Sequence, residues 1–208
     1  MAWSDRRHLI LGGAALLATG AARAQTRPAP TPRLTEGPYY PDHFPLDTDA
    51  DLVQQSGLAR PAKGEVVLVS GRILDANGGP IPGAVVEIWQ ADTNGRYIHT
   101  YDRSPGARDD FFQGFGKAST DASGLYRFRT VKPGAYDFRT PHIHYKVRLP
   151  GGGGLTTQLQ FAGDPRNDTD PISSRLSPEQ RARVTAALKP ANVKDAVWVA
   201  NFDIVLAS

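Results

Sequence analysis

Cysteine is absent from this chain of 208 residues. Disulfides and thiolate metal sites are therefore excluded, and any metal must be held by nitrogen and oxygen donors. The pattern H-E-x-x-H is absent too, which excludes a zincin site. The formal net charge is only +3 and no basic block occurs, so nothing supports nucleic-acid binding. There is no coiled-coil heptad and no internal repeat. The apolar run 9–22 is too short and too rich in Ala and Gly for a membrane span.

What is present begins with that run. Arg6-Arg7 precede it and Ala22-Arg23-Ala24 follows it, the order of a cleavable signal peptide over residues 1–24. The paired arginines point to the twin-arginine route, although Asp5 interrupts the usual order; a Sec signal is the alternative. The expected location is exported, periplasmic or extracellular, with no membrane span after cleavage. Residues 25–63 read as a Pro-rich linker and an N-terminal arm, the latter carrying TEGPYYPDHFPLD. Tyr39 or Tyr40 could reach a pocket from this arm, with core anchoring as the simpler role; Tyr40 is taken as the substrate-binding candidate.

From residue 64 onward the pattern is β, and 64–208 is read as one catalytic domain. With 21 Gly and 17 Pro, turns should be frequent and long helices few. Expected strands cover 66–74 (broken at Gly71), 84–92, 125–130, the segment around His142, 155–161 and 196–206. Short strands separated by Gly, Pro, Asn and Asp predict an all-β fold, a β-sandwich with one short C-terminal helix. That helix has Ser177 as N-cap, Pro178 at its first position and Gln180 closing a capping box. Val184 and Leu188 share a face, and Pro190 ends it.

The densest chemistry lies in PGAYDFRTPHIHYKVRL, residues 133–149. In a strand, side chains two apart point the same way, so His142 and His144 project side by side and can reach one metal. By itself H-x-H reads as two surface histidines. The company of Tyr136 and Arg139 makes it a candidate site. Imidazole alone suits Zn, Cu, Ni or Fe. Phenols favour a trivalent hard ion, whose charge lowers their pKa. Tyr97, after a Gly turn, is one candidate for a second phenolate; Tyr101, Tyr126 and Tyr145 are equally available by composition.

The run GRILDANGGPIPGAVVEIWQADTNGRY, from Gly71 to Tyr97, resembles the signature of the intradiol ring-cleavage dioxygenases, in their protocatechuate 3,4-dioxygenase branch. TDASGLYRFRTVKPGAY, PHIHY and LTTQLQFAGDP continue the resemblance in order, over roughly residues 35–165. It implies a non-haem Fe(3+) enzyme that opens a catechol with O2 to a cis,cis-muconate-type diacid. The implied metal ligands are Tyr97, Tyr136, His142 and His144. Tyr136 would also take a substrate proton and leave the metal, and Arg139 would be the active-site cation. Gln158 and Trp89 fall on pocket positions. Partners would be a small catechol and O2, with homo-oligomerisation left open. Five residues separate Tyr136 from His142. The better-known cytoplasmic relatives often have a longer insertion there, so a more open pocket is expected, as in secreted members.

Two other readings remain at this stage. PIPGAVVEIW also resembles prealbumin-like sandwich domains, which would make the chain a non-catalytic binding module. Alternatively, His142 and His144 could join another histidine such as His99 in a Zn or Cu protein. Arg139 could instead form a surface ion pair with Asp137 or Asp164.

Overall fold

The computed structural model describes residues 27–207; the expected signal peptide at 1–24 lies outside them. Two five-stranded sheets face each other. The first is built on β1 (Val66–Leu74). β4 (Leu125–Val131) runs antiparallel along β1, while β9 (Trp198–Asn201) and β10 (Ile204–Val205) follow one another parallel to it. β8 (Lys189–Pro190) pairs with β9. The second sheet has the order β3 (Phe115–Ser119), β2 (Val85–Trp89), β5 (His142–Arg148), β6 (Gly154–Phe161), β7 (Thr185–Ala186). No helix among the described residues is long and apolar enough to cross a membrane.

Alternation decides which side chains fill the sandwich. On β5, Ile143, Tyr145 and Val147 enter the main core with Val86, Ile88 and Leu159. His142, His144 and Lys146 therefore lie on the other face of the same sheet. Trp89 and Gln158 flank His144 there, since the cross-strand register is Trp89↔His144↔Gln158. A second, aromatic cluster of Trp89, Tyr97, Phe115 and Tyr136, with Tyr39 and Tyr40 of the arm, covers this outer face.

Four sequence expectations need correction. β1 is not broken at Gly71 but runs through it. The glycine is needed for close approach: a Cβ there would lie 1.9 Å from the Phe202 carbonyl oxygen. The C-terminal strand, expected whole over 196–206, is interrupted at that point into β9 and β10. Tyr126 Oη donates to the Phe202 carbonyl at 2.5 Å, and Asp203 Oδ1 accepts from Arg72 N at 2.8 Å, fixing the interruption against β1. Gly71→Ala is therefore expected to destabilise the fold by about 3 kcal/mol, because backbone rather than a flexible side chain must move. Thermal unfolding should show a Tm lower by roughly 10 °C; an unchanged Tm would mean the interruption is free to shift.

The helix, α1, covers only Pro178–Ala182, with the expected capping box in place. It stops early because Gln160 N donates to Val184 O at 2.8 Å and Thr185–Ala186 pair with β6. The edge of the sheet takes the backbone that a longer helix would have used. Finally, the Pro-rich stretch expected as a linker is fastened over its described part. Thr31 N donates to Val205 O (2.9 Å) and Leu34 N to Thr156 O (2.9 Å), so the segment bridges the two sheets.

Candidate metal centre and active site

His142 and His144 are both buried, and their Nε2 atoms approach to 3.1 Å. His142 Nδ1–H donates to the Thr140 carbonyl at 2.6 Å, which fixes the tautomer and leaves the Nε2 lone pair free to bind. His144 stacks flat on Trp89, with ring centroids 4.7 Å apart and planes 10° from parallel. The strand pair thus sets one ring by a hydrogen bond and the other by stacking.

The tyrosines arrive from two turns that touch backbone to backbone. Asp92, buried, organises the first: its Oδ1 accepts from Asn94 N (2.8 Å) and Arg96 N (3.0 Å). Its carbonyl accepts from Gly134 N at 2.8 Å, tying the Tyr97 turn to the Tyr136 turn. A Cβ on Gly134 would lie 2.5 Å from Gly95 N, and one on Gly95 2.4 Å from Ala135 O. Both positions must be glycine for the turns to meet. The Tyr97 and Tyr136 rings then sit edge to face, 5.2 Å apart. Tyr97 lies 6.1 Å from the His144 ring and Tyr136 5.6 Å from the His142 ring. All four expected ligands are brought together, although they come from separate parts of the chain.

Arg139 is not paired with Asp137 or Asp164. Its Nε donates to Asp170 Oδ2 at 2.8 Å and its terminal nitrogen to Gln158 Oε1 at 2.6 Å. Gln158 is fully buried and donates in turn to the Thr35 carbonyl (2.9 Å), so it orients Arg139 and anchors the arm. Asp170 was missed by the sequence reading. It stands far along the chain, and its only local signal is the short acceptor motif Asp-Pro-Ile-Ser.

Of the arm tyrosines, Tyr39 rather than Tyr40 reaches the Tyr97–Tyr136 pair. The Tyr39 ring lies 4.9 Å from that of Tyr97 and 5.8 Å from that of Tyr136. Tyr40 donates its hydroxyl to Glu87 Oε2 at 3.0 Å and packs edge-on to Trp89. The structure therefore places Tyr40 behind the site as an anchor. His99 is likewise not brought to the histidine pair: its Nδ1 accepts from Tyr101 N at 3.1 Å and its ring packs near Tyr39. Among the described residues no group of three or more His, Cys, Asp or Glu could hold a metal. The third-histidine Zn or Cu reading is not favoured, because His99 is held elsewhere and the other donors beside the histidine pair are phenols.

Burial makes all four side chains favour their neutral forms. Burial pushes the Tyr97 phenol well above its usual range, and the neighbouring Tyr136 adds to this. Burial raises Tyr136 as well, while Tyr97 and the Arg139 guanidinium pull it partly back. Burial, then the Arg139 charge, lowers His142 to about 3. His144 is held well below the imidazole range by burial, then by His142 and Arg139. Tyr97 Oη, although buried, has no hydrogen-bond partner among the described residues. An orphaned phenol oxygen beside two converging imidazole nitrogens fits an ion. The 3.1 Å spacing suits two nitrogens that are neighbours around one centre at metal–imidazole distances of about 2.1 Å. Two phenols that ionise on binding would offset most of a trivalent charge. The donor set fits ferric iron.

Comparison with known proteins agrees with this construction. Residues 35–208 match the family model described as Dioxygenase. The chain is 36% identical over 167 residues to the protocatechuate 3,4-dioxygenase beta chain of Burkholderia cepacia, covering 76% of this chain and 71% of that one. It is 35% identical over 153 residues to the catechol 1,2-dioxygenase of Acinetobacter baylyi, covering 65% of this chain but only 47% of that enzyme. Among solved structures, the dioxygenase domain of a dioxygenase carbohydrate-binding protein fusion from Streptomyces sp. SirexAA-E superposes with a TM-score of 0.68 at 34% identity, over 86% of this chain and 99% of that one. The fold and the site define a dioxygenase on a β-sandwich. More narrowly, the chain belongs to the intradiol ring-cleavage dioxygenase family. The prealbumin-like binding-module reading is not favoured.

Proposed function

We propose that this protein is a non-haem ferric dioxygenase that cleaves a catechol between its two hydroxylated carbons with O2, giving a cis,cis-muconate-type diacid. The observation that carries the reading is the convergence of Tyr97, Tyr136, His142 and His144 beside a clamped Arg139. Those four side chains would hold the ion. A ferric ion held there would supply Lewis acidity for the two catechol oxygens and activate the ring toward O2. Tyr97 is 2% exposed and serves as the fixed phenolate, whereas Tyr136, at 8%, is the phenol nearer the surface. Incoming catechol meets Tyr136 first, and its phenolate oxygen takes a catechol proton as substrate binds. Arg139 supplies a positive charge placed to stabilise negative charge developing on the substrate. Trp89 keeps His144 oriented and Tyr39 closes the outer side of the tyrosine pair, limiting water.

The turn between Tyr136 and His142 is tight: Arg139 N donates back to Tyr136 O at 2.9 Å. Phe138 at its tip is 87% exposed. So short a wall favours a broad catechol specificity, and the leader-like segment 1–24 supports action outside the cytoplasm. The test is O2 uptake by the iron-loaded protein with catechol, protocatechuate and hydroxyquinol. One O2 consumed per ring opened, with no peroxide released and the diacid as product, is expected for at least one of them. Peroxide release with an intact ring would refute intradiol cleavage.

A further inference from the structure

Arg139 reaches the site from an unusual support. Its guanidinium is gripped at two nitrogens, by Asp170 Oδ2 and by Gln158 Oε1, and makes no other hydrogen bond among the described residues. Asp170 is completely buried. Its Oδ1 accepts from the amides of Ile172 (2.9 Å) and Ser173 (3.0 Å), and its Oδ2 from Arg139 Nε and from Thr140 N (3.0 Å). Every group facing the carboxylate is a donor. The two amides on Oδ1 hold the carboxylate by the 3-10 turn Ser173–Arg175, independently of Arg139. The aspartate is therefore a fixed acceptor against which the guanidinium is aligned, and its charge is satisfied without exposure to water.

We propose that Asp170 is a positioning residue for the reaction: together with Gln158 it fixes the plane and direction of the Arg139 guanidinium, leaving the Nη1 edge to meet the substrate. This rests on the dioxygenase reading above. Asparagine at position 170 is nearly isosteric but must present an NH2 group to two of the four donors. Fixing Oδ1 on the Ile172 and Ser173 amides turns that NH2 toward Arg139 and Thr140, so the guanidinium loses its alignment while keeping its charge. A well-aligned guanidinium acts on the transition state more than on substrate binding.

The test is a double-mutant cycle on the iron-loaded full chain, reading kcat, KM, iron content and the visible absorption of the iron site. Asp170→Asn is expected to lower kcat by about 100-fold with KM changed by less than about threefold and with iron retained. In an Arg139→Ala background the same substitution should lower kcat by less than about threefold. An equal fall in both backgrounds, or a fall matched by loss of iron, would overturn the proposal, since Asp170 would then act as scaffold alone. If Asp170→Asn does not fold, Arg139→Lys decides: it keeps the charge but not the fork. Near-wild-type kcat in that variant would overturn the role of alignment, whereas a loss close to that of Arg139→Ala would support it. Turnover of catechol by the unaltered protein tests the dioxygenase reading separately, so failure of one is distinguishable from failure of the other.

Discussion

His142→Ala is expected to yield a folded protein that binds ferric iron at least ~100-fold more weakly and has no measurable ring-opening activity. The residue opens β5, where its backbone is paired with Gln160 of β6. Its ring is locked by the Thr140 carbonyl, so Nε2 is delivered in the form that binds metal. No nearby group can replace it, because the next histidine, His99, is committed to Tyr101 and Tyr39. The main core is untouched, since His142 lies on the outer face of the second sheet. Loss of metal should thus be far larger than loss of fold. Iron content after ferric loading and dialysis, set beside far-UV circular dichroism, checks this. An iron-replete His142→Ala protein would remove His142 from the ligand set.

Gly134→Ala should have the second-largest effect, although residue 134 carries no chemistry. Its methyl group would meet Gly95 N at 2.5 Å and Thr93 O at 2.6 Å. Both are backbone atoms of the turn that bears Tyr97, and neither can rotate aside. The turns must separate, which breaks the Gly134 N to Asp92 O bond and widens the gap between Tyr97 and Tyr136. A displacement near 1 Å at a ligand costs on the order of 100-fold in turnover. We expect iron binding weakened about tenfold or more, kcat down about 100-fold, and a Tm only modestly lower. The measurement is the same iron titration with steady-state O2 uptake. Wild-type kcat would show that the contact between the two turns does not set the ligand spacing.

The histidine strand was legible in the sequence because period-two alternation places Ile143, Tyr145 and Val147 opposite His142 and His144 without any long-range information. The α1 start was equally legible, since the Ser177–Gln180 capping box is local. Its end was not. Val184 and Leu188 carry a helical spacing, but the open edge of β6 captured Thr185 and Ala186 between them. Gly71 looked like a strand breaker, and the carbonyl that requires it, that of Phe202, lies far along the chain. The same reason hid Asp170, whose acceptor role exists only once Arg139 and Thr140 fold against it. Tyr39 and Tyr40 are adjacent and chemically identical. Their roles diverge because Glu87 takes the hydroxyl of one, while the ring of the other lies against Tyr97. Motif resemblance named the ligands; the glycine contacts and the carboxylate clamp explain how the ligands are held in place.

The most direct measurement is the visible absorption spectrum of the aerobically purified protein and of Tyr97→Phe, each with its iron content, before and after catechol is added without O2. The account predicts close to one ferric ion per chain, a strong tyrosinate charge-transfer band that catechol shifts, and a weaker, displaced band in Tyr97→Phe. A colourless protein that takes up no iron on ferric loading, or a band unchanged by Tyr97→Phe, would contradict it.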